Sequence, residues 1–329
     1  MGIHRVLVTG AGGYIGTALT EALLDRGYEV VALDRFFFGP TLSGLSHPNL
    51  RIVKDDIRWV SSAAFRDVDA VCDLAALPED PAGALDPDRI AAVNAAGRVR
   101  TATLAKASGA RRYVLASSYT VYDPEGDGLT EESPVAPHTA HAQADLEAQE
   151  ALFQLRNRRF CATVLRLAPV YGLSRRMRFD LVLNAMALAL LQKRVIPVPR
   201  DGLQWLPLVH VRDAAAAFVK AIEIDTAEVN GQVFNVGSDE QNVQHLLLAL
   251  RAAEALGTPC SIAWDDGEPS RSYRVSFEKI RRVLGFSPRF QPEDGVREIA
   301  RAFRERLVDT GPRTRAAEWC RHLVQTGEL

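Results

Sequence analysis

Gly10, Gly13 and Gly16, within the stretch VLVTGAGGYIG from Val6 to Gly16, are spaced as a turn that can hold a phosphate. The β-favouring run Val6-Leu7-Val8 precedes them, and a helical segment, Thr17 to Arg26, follows. A strand entering such a turn and leaving as a helix aims backbone N–H groups and the positive helix end at one point, where a pyrophosphate can sit. The glycines divide the work into a tight turn, close approach of backbone to phosphate, and close helix–strand packing. The next apolar run, Glu29 to Leu33, ends at Asp34. A carboxylate there can accept both hydroxyls of an adenosine ribose, which favours NAD over NADP. The competing reading is an ordinary strand–helix turn with Asp34 as a surface acid.

The elements around this turn alternate. Leu50–Val53, Ala70–Leu74, Arg112–Ala116 and Ala162–Leu167 read as further strands, and Arg89–Ser108 and Thr139–Asn157 as long helices. That rhythm predicts a Rossmann-type, doubly wound parallel α/β sheet, with ligands gathering beyond the carboxyl ends of its strands. After Pro169 the pattern changes. Phe179–Leu191 reads as a helix, Val195–Pro207 as a proline-punctuated loop, and Val211–Ile224 as an alanine-rich helix. Gln232–Val236 reads as a strand returning to the main sheet. The expected division is a nucleotide domain from 1–170 plus about 205–240, and a smaller α/β substrate domain from about 171–204 plus 241–310. A helical extension, 311–329, carries Trp319 and Leu323 on an amphipathic face and is expected to cap the small domain or an interface.

At 329 residues, 47% apolar and 24% charged, the chain supports a large core. A formal net charge of −2 gives no electrostatic case for nucleic acid or an anionic membrane. The four cysteines, Cys72, Cys161, Cys260 and Cys320, form no CxxC pair, so neither a metal nor a disulfide is expected. Val6 stands where a myristoylation signal needs Ser or Thr, and no apolar run reaches membrane-spanning length. The expectation is a soluble, cytoplasmic protein.

Beyond the glycines, the chain carries Asp56-Ile57, Leu74-Ala75-Ala76, Asn94 with Gly97, SSYTVY at 117–122, LRLAPVYG at 165–172, DGLQWLPLVHVRD at 201–213, FNVGS at 234–238 and LGFSP at 284–288. Taken in order, these resemble the extended short-chain dehydrogenase/reductase family, the NAD-dependent epimerases and dehydratases, over roughly residues 5–305. The resemblance implies NAD bound by Gly10, Gly13, Tyr14, Ile15, Gly16, Asp34 and Arg35. It implies Asp56 and Ile57 beside the adenine, and Leu74, Ala75, Ala76, Asn94, Ser117 and Pro169 along the dinucleotide. It also implies a homodimer through helices 89–108 and 139–157.

One departure is sharp. Family members carry a Tyr-x-x-x-Lys pair, in which the tyrosine shuttles a proton and the lysine lowers its pKa while holding the nicotinamide ribose. Anchored on Ser118 and the downstream helix, those positions fall on His141 and Asp145, and the chain has no other Tyr-x-x-x-Lys. In the active reading His141 is the proton shuttle and a cofactor contact, since an imidazole titrates near neutral pH without a tuning lysine. Asp145 then orients the ring or accepts ribose hydroxyls, Ser118 hydrogen-bonds the reacting oxygen, and Tyr119 is a second acid. In the alternative, His141 and Asp145 are a solvated helix face and the protein is a non-catalytic NAD-binding sensor or partner.

The substrate half departs too. Pro169 replaces the asparagine of the family's RxxNxYG turn, and Leu206, between Trp205 and Pro207, replaces a pyrophosphate-gripping arginine. A diphosphate needs such cations. The reading therefore leans away from nucleotide sugars toward another sugar-like or polyol substrate. A further arginine that the family pattern expects around 265–271 is matched by Arg271, and Arg175, Arg176 and Arg178 are the candidates to take over the lost one. Phe36-Phe37-Phe38 could pack over adenine or form a contact surface, Arg35 could accept an NADP phosphate only against Asp34, and His210 is read as structural.

Overall fold

The computed structural model describes residues 2–79, 85–123, 127–199, 201–265 and 272–329. Apolar runs at the predicted positions form β1 (Arg5–Thr9), β2 (Glu29–Asp34), β3 (Leu50–Lys54), β4 (Ala70–Asp73), β5 (Arg112–Ser118) and β6 (Cys161–Leu167). With Gln232–Val236 they make a seven-stranded sheet in which every pairing is parallel. Its order is Gln232–Val236, β6, β5, β4, β1, β2, β3. The order turns back at β1, between β4 and β2, and opens a crevice beyond the carboxyl ends of those strands. The central strands are buried on both faces, which is why they read as unbroken apolar runs rather than alternating ones.

On one face lie α1 (Tyr14–Leu24) and the helix Val211–Glu223, packed against each other. On the other lie α2 (Pro87–Ala91), α3 (Arg98–Ala107) and α4 (Ala140–Leu155). The single helix expected over Arg89–Ser108 begins earlier, where Asp86 caps it and Pro87 opens it, and a π turn at Ala92–Gly97 divides it. Such widened turns leave backbone spacing that a buried side chain can use. Asn94, fully buried, sits within this one. α4 starts where Thr139 Oγ1 accepts from Ala142 N.

The segment Val195–Pro207 is not a loop throughout. Val195–Pro199 is a strand paired in parallel with Ser261–Asp265, and Trp205–Leu206 pairs antiparallel with Val243–Gln244. The first of these sheets has only two strands, so Pro197 and Pro199 lie at an edge, where a missing N–H breaks no ladder. The C-terminal helix, Ala316–Gln325, buries Ala316, Cys320 and Leu323. Its hydrogen bonds run to the segment around Asp180 and to the loop after β2, not only to the smaller lobe. No helix among the described residues is long and apolar enough to cross a membrane.

Candidate active site

Gly10 takes φ +65° at the end of β1, and a Cβ there would stand 2.8 Å from the Leu74 carbonyl and Ala75 N. Gly16 is more constrained, since its Cβ would lie 2.0 Å from Gly10 O. The turn is therefore a backbone cradle that side chains would fill, and it fits a pyrophosphate. Thr9 and Asp73 brace it from below. The Thr9 hydroxyl donates to Asp73 and accepts from Leu74 N and Ala75 N, both at 3.1 Å. Tyr113 donates to the other Asp73 oxygen at 2.6 Å. Burial pushes the Asp73 carboxyl upward, with Arg98 and these hydrogen bonds opposing it.

Asp34 closes β2 beside the cradle. Its oxygens accept from Gly12 N at 2.9 Å and Phe36 N at 2.5 Å, and burial raises its pKa despite those bonds. A carboxylate has about four lone-pair positions, so ribose hydroxyls can still be accepted. Phe36 adopts φ +55°, and its ring lies under Gly12, where a Cβ would come within 2.8 Å. The three phenylalanines thus have separate duties. Phe36 supports the turn, Phe37 carries the Arg35 guanidinium at 4.6 Å, and Phe38 carries Arg176 at 3.7 Å. Arg35 and Arg58 both pair with Asp56, at 2.8 and 2.7 Å. Burial alone would raise the Asp56 carboxyl, but the two guanidinium groups hold it below its usual range. Asp56 is thus tied to cations, and Ile57 lies in the apolar cluster behind it.

The π turn organises the other end of the crevice. Asn94 Oδ1 accepts from Leu77 N at 2.7 Å, while its Nδ2 donates to Leu77 O at 3.0 Å. His141 Nδ1 stands 3.1 Å from the same carbonyl and 3.1 Å from Asn94 Nδ2. The amide of Asn94 has two hydrogens, one for Leu77 O and one for His141 Nδ1, so the consistent tautomer carries the ring proton on Nε2, facing the Asp145 Oδ2 acceptor at 3.5 Å. Asp145 is not solvated. Its side chain and that of Arg98 are each 3% exposed, and they pair at 2.7 Å. Arg98 Nε also donates to Ala75 O at 3.0 Å. A cation therefore does reach this position, from α3 instead of from α4, and the helix face is not the solvated surface of the alternative reading.

Ser118 Oγ accepts from Thr120 N and from the Thr120 hydroxyl, which fixes it at the end of β5. Ser117 Oγ is buried with no hydrogen-bond partner among the described residues. Tyr119 lies edge-on against Tyr273 at 4.8 Å, and Tyr273 N donates to Trp205 O. Leu206 is buried beside Trp205, and Pro169 O accepts from Val209 N. This side of the crevice is aromatic and apolar. Of the arginines proposed to replace the lost one, Arg175 pairs with Glu21, Arg178 with Asp180, and Arg176 turns toward Phe38. Arg271 lies outside the described residues. His210 is structural. Its Nδ1 accepts from Arg212 N as a helix cap, and its Nε2 donates to Glu298 at 2.7 Å.

Arg98 escaped the sequence reading, and so did the burial of Arg176. Arg98 looks like any helix charge following Gly97, and only the π turn reveals its inward direction. Arg176 was one of three candidate cations, and nothing in its spacing marked it as the buried one.

A sequence model described as the NAD dependent epimerase/dehydratase family matches residues 6–237. A UDP-glucose 4-epimerase of Mycolicibacterium smegmatis is 31% identical over 318 residues, covering 92% of this chain and 99% of that protein. UDP-glucuronic acid decarboxylase 1 of Xenopus tropicalis is 25% identical, covering 92% of this chain and 73% of that protein. Among solved structures, MoeE5 in complex with UDP-glucuronic acid and NAD superposes with a TM-score of 0.81 at 25% identity, covering 92% of this chain and 99% of that one. The glycine cradle, the carboxylate ending β2 and the crevice at the sheet's reversal agree with these likenesses, and NAD is named both for the family and in the MoeE5 complex. The chain belongs to the NAD-dependent epimerase/dehydratase family.

Proposed function

We propose that this protein oxidises a secondary alcohol of a sugar-like substrate by hydride transfer to NAD, with His141 moving the proton in place of the family's tyrosine. The observation that carries this reading is the buried chain Leu77–His141–Asp145–Arg98. Asn94 and the Leu77 carbonyl flank one imidazole nitrogen, a carboxylate faces the other, and a guanidinium neutralises the carboxylate. A buried carboxylate that orients an imidazole is a recurring part of general acid–base catalysis, and here it is assembled from α4 with a cation from α3. NAD, when bound, supplies the hydride acceptor. The protein positions it with the cradle and Asp34, holds the reacting oxygen at Ser118, and moves a proton at the His141 imidazole. Tyr119, against Tyr273, is placed as a second acid on the substrate side.

A specific observation favours a nucleotide sugar over other polyols. The relatives named above act on or bind UDP-sugars and align along nearly the whole chain. Against it stand Leu206 in the arginine position and the engagement of Arg175 and Arg178 by carboxylates. The nucleoside would then rest on the aromatic wall of Trp205 and Tyr273, with Arg274 stacked over Trp205 at 4.9 Å. A homodimer fits α2–α3 with α4. The face they share is alanine-rich and encloses an open apolar groove of about 800 Å³ lined by Ala91, Ala95, Ala96, Val99 and Ala151. The domain division at about 170, 205 and 240 is part of the same proposal.

Mass spectrometry of the small molecules released on denaturing fresh protein tests the reading. NAD or NADH retained in stoichiometric amount supports a cofactor recycled in place. A UDP-sugar released with it establishes the substrate class. Recovery of NAD together with a full failure to turn over UDP-glucose, UDP-glucuronic acid and free polyols supports the non-catalytic alternative.

A further inference from the structure

The family's landmarks end near residue 305, yet the chain continues and folds back across the sheet. Gly311 opens a short turn, and Phe179 N donates to Thr314 O at 2.9 Å. The helix Ala316–Gln325 then crosses to the loop after β2, where Trp319 Nε1 donates to Phe37 O at 2.7 Å. The last two residues are anchored by cations. Arg35 donates to Glu328 O at 3.4 Å, and Arg89 donates to Leu329 O. Cys320, Val324 and Leu329 pack with the apolar cluster that contains Leu33, Ile57 and Ile90. The anchors at Arg35, Phe37 and the Leu33–Ile57 cluster lie at the end of the crevice read as the adenosine site, marked by Asp34, Arg35, Asp56 and Ile57.

Beneath this tail are buried donors without acceptors. Arg176 is 5% exposed, and its Nε and one terminal nitrogen have no hydrogen-bond partner among the described residues. Its guanidinium carbon stands 3.7 Å from the centre of the Phe38 ring and close enough to Asp34 and Cys320 to feel their charge, and burial pushes its pKa down to about 9. Arg89 Nε and, on the tail helix itself, Arg321 Nε are likewise buried and unmatched. A buried polar group left unpaired costs about 1–3 kcal/mol, more for a charged one, so several along one seam point to a missing polar ligand.

We propose that residues 310–329 form a strap that closes over the adenosine half of the bound dinucleotide, and that Arg176 is a donor held beneath it for an acceptor on that adenosine. The strap gives the cofactor a fourth wall and slows its exchange, so that NAD stays bound between turnovers. The inference rests on NAD binding and is independent of the role of His141. It requires only the tail's anchors and the unmatched guanidinium groups.

The test compares the full chain with a variant ending at Arg315 and with Arg176→Gln, using NAD, AMP and nicotinamide mononucleotide as probes. Dissociation is followed by stopped-flow displacement and affinity by calorimetry. Truncation is expected to release NAD at least about tenfold faster and to weaken AMP by a similar factor, leaving nicotinamide mononucleotide unchanged. Arg176→Gln is expected to weaken AMP about tenfold. If the truncated chain melts early, Trp319→Ala combined with removal of Glu328 and Leu329 serves instead, with a smaller loss of about threefold expected. Equal or tighter binding of AMP by the shortened proteins would overturn the proposal and make the tail a plug or a bystander. A full-length protein that takes up no AMP would overturn it as well.

Discussion

Asp34, part-buried, and Asp145, buried, are two carboxylates of one crevice, yet they are held in opposite ways. Asp34 is satisfied by two backbone N–H groups, from Gly12 in the glycine turn and Phe36 in its own turn, and makes no ion pair among the described residues. Asp145 depends on a guanidinium from another helix, Arg98, and faces an imidazole one turn away on its own helix. The first site is built from chain geometry and the second from charges brought together by tertiary packing. Local geometry of this kind survives changes elsewhere in the molecule. A charge cluster survives only as a unit, so altering one of its members should propagate to the others.

The largest effect should follow from dividing that unit. Arg98→Ala leaves Asp145 buried without its cation and is expected to cost about 3–5 kcal/mol in denaturant unfolding. Arg98→Met with Asp145→Leu should recover most of that loss. If the single and double variants unfold alike, the pair does not act as a unit. On the geometric side, Gly16→Ala places a methyl against Gly10 O and should cost about 1–3 kcal/mol of stability while also weakening NAD. Asn94→Ala unpairs the Leu77 N–H and removes a neighbour of His141. A loss of about 1–3 kcal/mol of stability is expected, together with a fall in turnover. Glu298→Gln, which keeps the shape but not the charge opposite His210 and Arg212, should cost about 1 kcal/mol and leave steady-state kinetics unchanged.

The smallest effect concerns pH. Burial raises Asp34 above the ordinary aspartate range, so its carboxyl takes up a proton while pH is still above that range. If the carboxylate accepts the ribose as proposed, NAD affinity should fall on acidification through that raised value. Stability of the unliganded protein should move oppositely. The folded pKa exceeds the unfolded one, so Asp34's contribution is fully present below the unfolded pKa and is lost as pH rises through the folded pKa. Titration of NAD binding and of melting temperature on wild type and Asp34→Asn separates the two trends.

This contrast also explains what could be read without coordinates. β1, its glycine turn and Asp34 are local, so strand, turn and acid were all visible in sequence order. The parallel sheet followed from the alternation of apolar runs with helices. The substitution of His141 and Asp145 was visible by register against the family's motif. What they touch was not. Arg98 is brought inward by a π turn that no residue pattern announces, and Leu77 joins them only because Asn94 clasps it. Val195–Pro199 was hidden as a strand because its prolines argue against one, and an edge of a two-stranded sheet tolerates them. The tail's amphipathic face was legible in Trp319 and Leu323, but its destination depended on Phe37, Arg35 and Arg89, contacts that sequence spacing cannot supply.

The central claim is that His141 moves the proton in this crevice. The most direct measurement is the single-turnover rate of NAD reduction by the full chain and by His141→Ala, with UDP-glucose and UDP-glucuronic acid as substrates and NAD affinity measured alongside. The account predicts a loss of about 10²–10⁴-fold in the rate with NAD affinity nearly unchanged. An equal rate in the variant, on a substrate that the wild type turns over, would contradict it.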